Sequence, residues 1–264
     1  MELSLITNDP ATARAAEDAG IERIFIDLER LGKEARQRGR PLFQSTHQID
    51  DVARVKDALR RARVMVRVDP PHPGTCRQVR RVIELGADFV MLPWFDRLRE
   101  AADFVAFVGD RARAVPLVEC AGALAVLPDL CRLPGVAEIH VGLNDLSMSL
   151  GRRHWFEVLT DPALDAACAT LRDAGVAFGF AGISSLSRSD LPVDPELVLA
   201  EQVCQGASRG WLGRTFRETA LGDLGREVEK LRKAIAFWES AGAEERAAMR
   251  ARLGARIALA RLVQ

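Results

Sequence analysis

The sequence predicts an α/β protein: a (β/α)8 TIM barrel over residues 1–216, followed by extra C-terminal helices over residues 217–264. Three observations carry this. Eight short apolar segments, most of them rich in Val, Ile or Phe, alternate with amphipathic segments of helical period, the pattern of parallel strands buried on both faces. Helical segments repeatedly close on a glycine before the next strand (Gly86, Gly135, Gly175, Gly206), the residue suited to a left-handed helix exit. No GxGxxG follows the first strand, which argues against an open dinucleotide-binding sheet.

The strand candidates are residues 2–6, 23–28, 63–68, 88–93, 114–119, 138–143, 176–180 and 208–213. The first helix, DPATARAAEDAG, has Asp9 as N-cap, Pro10 at the first helical position and Gly20 as a stop. IDDVARVKDALRRA, TCRQVRRVIELG and DRLREAADFVAFVG are amphipathic at helical spacing, and CAGALAVLPDLCRLPG follows. DPALDAACATLRDAG again opens Asp-Pro and closes on Gly. Beyond Phe216 no strand candidate remains; REVEKLRKAIAFWES and AEERAAMRARLGARIALARLV read as two helices with a break near Ser240–Gly242. A tail this long exceeds what closing a barrel requires. It suits helices packed on their own barrel or, the reading preferred here, an arm on a neighbouring subunit of a homo-oligomer.

Composition excludes several classes. Lys plus Arg equals Asp plus Glu, 37 each, so no global charge points to nucleic acid or a membrane surface. The five cysteines are odd in number and widely spaced, with no CxxC pair, which fits reduced thiols in a cytoplasmic protein. MELSLITNDP lacks the basic start and apolar run of a secretion signal, and no uninterrupted apolar run reaches membrane-spanning length.

In a barrel the working residues sit at the C-terminal ends of the strands. The chain places Asp27 and Glu29 after strand two, Arg67 and Asp69 at strand three, Glu119 after strand five, and Asn144 and Asp145 after strand six. Glu119 and Asp145 suit Mg²⁺ or Mn²⁺, or another divalent ion, since such ions prefer oxygen and need only one or two carboxylates. Arg67, inside an otherwise apolar run, suits a substrate carboxylate. A metal and an arginine across a small mouth chelate a 2-oxo acid and favour carbon–carbon chemistry beside its carbonyl. Trp94 is placed as a wall of the mouth, and Cys120 as packing.

These residues resemble the HpcH/HpaI aldolase/citrate lyase family of phosphoenolpyruvate/pyruvate barrels. The matching stretches are IFIDLE (Asp27, Glu29), VRV (Arg67), GADFVMLP, VEC (Glu119) and PGVAEIHVGLNDLSMSLG, within roughly residues 1–215. The resemblance implies a divalent metal at Glu119 and Asp145. It implies a substrate carboxylate at Arg67, aided by backbone amides around Gly142 to Asp145, including Asn144. It also implies oligomers that exchange a C-terminal helix.

The chain departs from that pattern in the half of the site that moves protons. Aldolases of the family carry His directly after the strand-two glutamate; here stands Arg30, which cannot accept a proton. Leu117 replaces a frequent Gln, and Glu84 is the acid available to pair with Arg30. The basic loop LGKEARQRGRPLFQSTH, residues 31–47, echoes citrate-lyase-like members at Lys33, Ala35 and Arg36. It reads as a solvated loop or as a lid bringing Arg36, Arg38 or Arg40 to a phosphate or second carboxylate. His47 at its end is the preferred substitute acid/base, with a metal-held water as the other choice; His72 is a weaker candidate, His140 reads as structural, and His154 as able to reach a neighbour's mouth. GISSLSRSDLP reads as a mobile or substrate-facing loop.

Together these features describe a cytoplasmic, homo-oligomeric, Mg²⁺- or Mn²⁺-dependent carbon–carbon lyase, aldolase or synthase. It acts through a pyruvate-type enolate of a small 2-oxo acid, with a polar aldehyde or acyl thioester as partner. Metal-assisted hydrolysis or decarboxylation, and a non-catalytic scaffold, are the competing readings.

Overall fold

The computed structural model describes residues 1–36, 45–213, 216–218 and 222–263. Eight parallel strands close into a barrel in chain order: β1 (Glu2–Ile6), β2 (Arg23–Asp27), β3 (Arg63–Arg67), β4 (Phe89–Leu92), β5 (Arg113–Val118), β6 (Ile139–Val141), β7 (Phe178–Ile183) and β8 (Arg209–Leu212). Each lies within two or three residues of its predicted position.

Helices cover the outside: α1 (Pro10–Asp18), α2 (Lys33–Arg36), α3 (Asp51–Ala58), α4 (Thr75–Glu84), α5 (Leu98–Val108), α6 (Ala121–Ala125), α7 (Leu127–Leu130), α8 (Leu143–Ser149), α9 (Pro162–Asp173) and α10 (Pro195–Cys204). A 3-10 segment, Trp155–Thr160, lies between α8 and α9. Asp-Pro opens α1, α9 and α10 in the same way. Asp9, Asp161 and Asp194 each accept a backbone N–H of the first turn, and proline fills a position whose own N–H would be unpaired. The four exit glycines have φ between +66° and +102°.

Two further helices, α11 (Leu224–Ser240) and α12 (Ala243–Val263), form the extension. In the single chain both pack on their own barrel, one of the two placements the sequence allows. The reason is α10, whose residues Leu197, Val198, Leu199, Ala200 and Val203 are all buried. A helix with apolar residues on both its inner and outer faces must be covered on the outer face too. Helices α11 and α12 supply that cover, through Val228, Leu231, Ile235 and Trp238, and through Met249, Leu253 and Ile257. Arg250 pairs with Asp165 at 2.7 Å, and Arg261 with Glu157 at 3.2 Å.

Phe25, Met65, Phe89, Met91, Val115, Leu117 and Trp211 fill the barrel interior. Its N-terminal end is closed by ions. Arg23 bonds Glu138 and Glu2, Arg209 bonds Glu138 at 2.8 Å, and the Arg23 guanidinium lies 3.9 Å from the centre of the Phe89 ring. His140 is fully buried beside Trp211 and pairs with Glu138 at 2.9 Å, in keeping with a structural histidine. No helix among the described residues is long and apolar enough to cross a membrane.

Candidate active site

Side chains alternate along a strand, so the inward row recurs at every second residue. Beyond Phe25, Met65 and Leu117 in that row come Asp27, Arg67 and Glu119, at the C-terminal mouth. The β2–β3 register sets Asp27 directly opposite Arg67. Arg67 Nε donates to Asp27 Oδ1 at 2.9 Å and one Nη to Oδ2 at 2.8 Å, a bidentate pair. Burial alone would raise the Asp27 carboxyl; the Arg67 guanidinium outweighs it, with Lys33 adding to the pull, and holds the group far below the usual carboxylate range. The same Nη of Arg67 stands 3.4 Å from Glu29 Oε2. Its other Nη is the atom left for a ligand.

Glu119 is buried, and its Oε1 accepts the Trp94 backbone N–H at 2.9 Å. Trp94 makes that contact from φ +44°, the one positive φ outside glycine among the described residues. Such a conformation costs a bulky residue on the order of 1–3 kcal/mol. Gly142 flanks Glu119 on the other side. A Cβ there would stand 2.5 Å from Glu119 Oε2, so only glycine lets β6 pass the carboxylate. Burial, then the charges of Glu29 and Asp145, push the Glu119 carboxyl well above its ordinary value. Asp145, buried in the first turn of α8, accepts from Asn144 Nδ2 at 3.0 Å.

Three cations face this cluster. Lys33 Nζ lies 3.4 Å from Asp27 Oδ2 and 3.2 Å from Glu29 Oε2. Arg36 bonds Glu29 through Nη2, its Nε lies 3.6 Å from Asp145 Oδ2, and its guanidinium sits 4.6 Å from the centre of the Trp94 ring. Lys33 and Arg36 therefore face protein carboxylates. Of the loop arginines expected to reach a phosphate or second carboxylate, Arg36 is engaged in this way in the single chain, and Arg38 and Arg40 lie outside the described residues. The donor set fits Mg²⁺ or Mn²⁺. Glu119 and Asp145 offer hard oxygens, and burial with the neighbouring Glu29 and Asp145 charges disfavours an ionised Glu119 that no cation joins. No group of three or more His, Cys, Asp or Glu able to hold a metal ion occurs among the described residues, so a metal here would rest on the two carboxylates of Glu119 and Asp145.

Other sequence candidates fall elsewhere. His47 is buried, and its Nδ1 accepts the Asp27 backbone N–H at 3.1 Å. Burial lowers the imidazole pKa, so the ring is neutral at physiological pH and pins the end of β2. None of the four histidines lines the mouth cavity. Arg30 donates to His47 O at 2.8 Å, whereas Glu84 lies on α4 beside Arg81, so the expected Arg30–Glu84 pair does not form. Asp69 accepts the backbone N–H groups of Arg30 and Leu31 and shapes the loop. His72 contacts Pro70 O and Thr75. Within the stretch Gly142 to Asp145 the Gly142 amide donates to Val118 O at 3.0 Å. Cys120 caps α6 through Sγ, and burial pushes its thiol up, as befits packing. In the loop 182–192, Ser185 and Ser187 bond Glu227 of α11, while Leu191 and Pro192 line the cavity.

The mouth cavity measures about 520 Å³. Sequence reasoning missed its far wall, Trp155, Phe156, Val193 and Val198. Apolar residues in a connecting segment and on an apolar helix carry no signal of facing a ligand.

The family model described as HpcH/HpaI aldolase/citrate lyase matches residues 3–210. The chain belongs to the HpcH/HpaI aldolase/citrate lyase family. It is a lyase- or aldolase-type enzyme with small-molecule substrates. Comparison with curated proteins finds no match. Among solved structures, this HpcH/HpaI family chain is similar to the HpcH/HpaI aldolase from Desulfitobacterium hafniense DCB-2, at 15% identity and TM-score 0.62, covering 87% of this chain and 92% of that one. A family protein from Burkholderia cenocepacia J2315 is 19% identical at TM-score 0.62, covering 88% and 94%. The citrate synthase SbnG is 16% identical at TM-score 0.63, covering 88% and 93%. At these identities the likeness is one of fold.

Proposed function

We propose that the chain is a divalent-metal-dependent carbon–carbon lyase, run toward cleavage or synthesis, acting through the enolate of a pyruvate-type 2-oxo acid. The observation that carries it is the buried Glu119 carboxylate, set among Glu29 and Asp145 at a barrel mouth that also presents Arg67. Like charges buried together cost stability unless a cation joins them.

Glu119 and Asp145 would hold Mg²⁺ or Mn²⁺, which supplies Lewis acidity toward a keto oxygen. Arg67 turns its remaining Nη toward the substrate carboxylate. Asp27, fixed on the other edge of that guanidinium, keeps its plane still, so little freedom is lost on binding. His47 steadies Asp27 from behind. The proton leaving the carbon beside the carbonyl passes to a carboxylate or to water in the cavity, since no histidine faces it.

The test is exchange of pyruvate methyl protons in deuterated water with Mg²⁺ or Mn²⁺, read by proton NMR. Metal-dependent exchange, lost in Glu119→Gln, is the expected result. No exchange with any divalent ion, together with no binding of pyruvate or oxalate, overturns the reading.

A further inference from the structure

The two sides of the mouth cavity differ in chemistry. Asp27, Lys33, Arg67, Glu119 and Asp145 make one side, at the ends of β2, β3, β5 and β6. Across from them stand Trp155, Phe156, Leu191, Pro192, Val193 and Val198. On this far side the charged liner is Glu218, whose side chain is 60% exposed at the rim and lies 3.6 Å from Arg188. The apolar wall is also set firmly. Gly182, at φ +98°, leaves room for Trp155, whose indole would come within 3.3 Å of a Cβ there. Phe156 packs edge-on to Trp155 and stacks on His154 with ring centres 5.0 Å apart. Leu191 and Pro192 belong to a loop anchored to Glu227 by Ser185 and Ser187.

We propose that the second substrate is an uncharged aldehyde with an apolar body, aryl or branched alkyl, whose carbonyl meets the charged side while its body lies on Trp155 and Val198. The inference rests on the proposed enolate chemistry, and it replaces the polar co-substrate expected from the basic loop. The described cations of that loop, Lys33 and Arg36, are engaged with Asp27, Glu29 and Asp145. Among the described residues, an ionised or sugar-like body facing this wall would meet only Ser184 and the rim carboxylate Glu218 as polar neighbours, whereas an apolar body gains by leaving water. A pocket built for apolar contact disfavours a body that adds a hydroxyl by about a hundredfold, enough to set the order of preference. In the addition, the methyl carbon of pyruvate loses a proton and bonds the aldehyde carbon. The aldehyde oxygen takes up a proton, giving a 4-hydroxy-2-oxo acid, and cleavage is the reverse.

The test uses the full chain with Mn²⁺ and saturating pyruvate. The aldehydes are benzaldehyde and 3-methylbutanal against glycolaldehyde and glyceraldehyde, with product read by NMR. The apolar pair should exceed the polar pair at least tenfold in kcat/KM, and Trp155→Ala should shrink that ratio at least tenfold. Equal or reversed preference overturns the proposal, as does an unchanged ratio in Trp155→Ala. A second readout needs no chemistry: saturation-transfer NMR should detect benzyl alcohol on the wild-type protein, weakened in Val198→Asp, and should not detect glycerol. Binding of benzyl alcohol without pyruvate proton exchange would keep the apolar wall and sink the enolate reading. Exchange with no benzyl alcohol contact would do the opposite.

Discussion

Replacing Arg67 by methionine keeps the length and apolar stem of the side chain and removes its charge. Asp27, 2% exposed, would keep Lys33 Nζ at 3.4 Å as its remaining cation and lose both bidentate bonds. Breaking a buried pair by deleting one partner costs about 3–5 kcal/mol. Lys33 offsets part of this, so a loss of roughly 3 kcal/mol is expected, against a total on the order of 5–15 kcal/mol. The pH dependence follows in sign. The Asp27 carboxyl is depressed in the fold, so its contribution is present above the unfolded value of about 4 and fades as pH falls toward the lower folded value. The penalty of Arg67→Met is therefore full at pH 7 and shrinks in acid. Guanidinium denaturation of both proteins at pH 7 and at about pH 3.5 measures it. A loss below about 1 kcal/mol at pH 7, the range of solvent-exposed pairs, would refute the buried-pair argument. So would a penalty that grows in acid.

The Glu119 carboxyl is raised by burial and by Glu29 and Asp145, so wild-type stability falls as pH climbs from about 4.3 toward the folded value. Glu119→Gln should stabilise the metal-free protein by roughly 1 kcal/mol at pH 7 while abolishing the rise in Tm that Mg²⁺ gives the wild type; a fall in Tm would contradict this. Arg36→Met removes a cation that sits against Asp145 and Glu29, and Mn²⁺ titration by calorimetry should show binding tightened about tenfold, or 1.4 kcal/mol. Unchanged affinity would place Arg36 outside the metal's field. His47→Ala strands the buried Asp27 N–H and should cost about 1–3 kcal/mol in denaturation, yet leave pyruvate proton exchange without a histidine inflection in either protein. An inflection near pH 6.5 that vanishes in His47→Ala would make the imidazole the proton acceptor after all.

The barrel was legible because its signals are local. Strand runs, Asp-Pro starts and glycine exits each depend on a few neighbouring residues, and the inward row at the mouth follows from alternation alone, which carries Phe25 to Asp27 and Leu117 to Glu119. Partnerships were less legible. Arg67 turned out to hold Asp27, and His47 turned out to brace a backbone N–H, because contacts across strands and loops depend on register and loop path. Helix α10 and the Trp155 wall escaped for another reason. Apolar residues announce burial, but the sequence does not say whether protein or ligand will cover them. The C-terminal extension illustrates this, since in the single chain its apolar face lies on the buried helix α10.

Charge balance separates the two ends of the barrel. At the N-terminal end Arg23 and Arg209 face Glu2 and Glu138, two cations for two anions, with His140 buried and held neutral by its burial. That network is complete within the protein, as expected of groups that serve stability. Among the described residues at the mouth, Lys33, Arg36 and Arg67 pair with Asp27, Glu29 and Asp145. Glu119 differs: its close donor is a backbone amide, and burial with the charges of Glu29 and Asp145 outweighs the pull of Arg67 and Arg36. Pairing among the described residues is thus complete at the N-terminal end and leaves Glu119 without an ionic hydrogen bond at the end where barrels do chemistry, beside a residue held at positive φ. Under the proposed function a divalent cation would join Glu119 to Asp145, and the apolar wall would bear on what else enters the cavity.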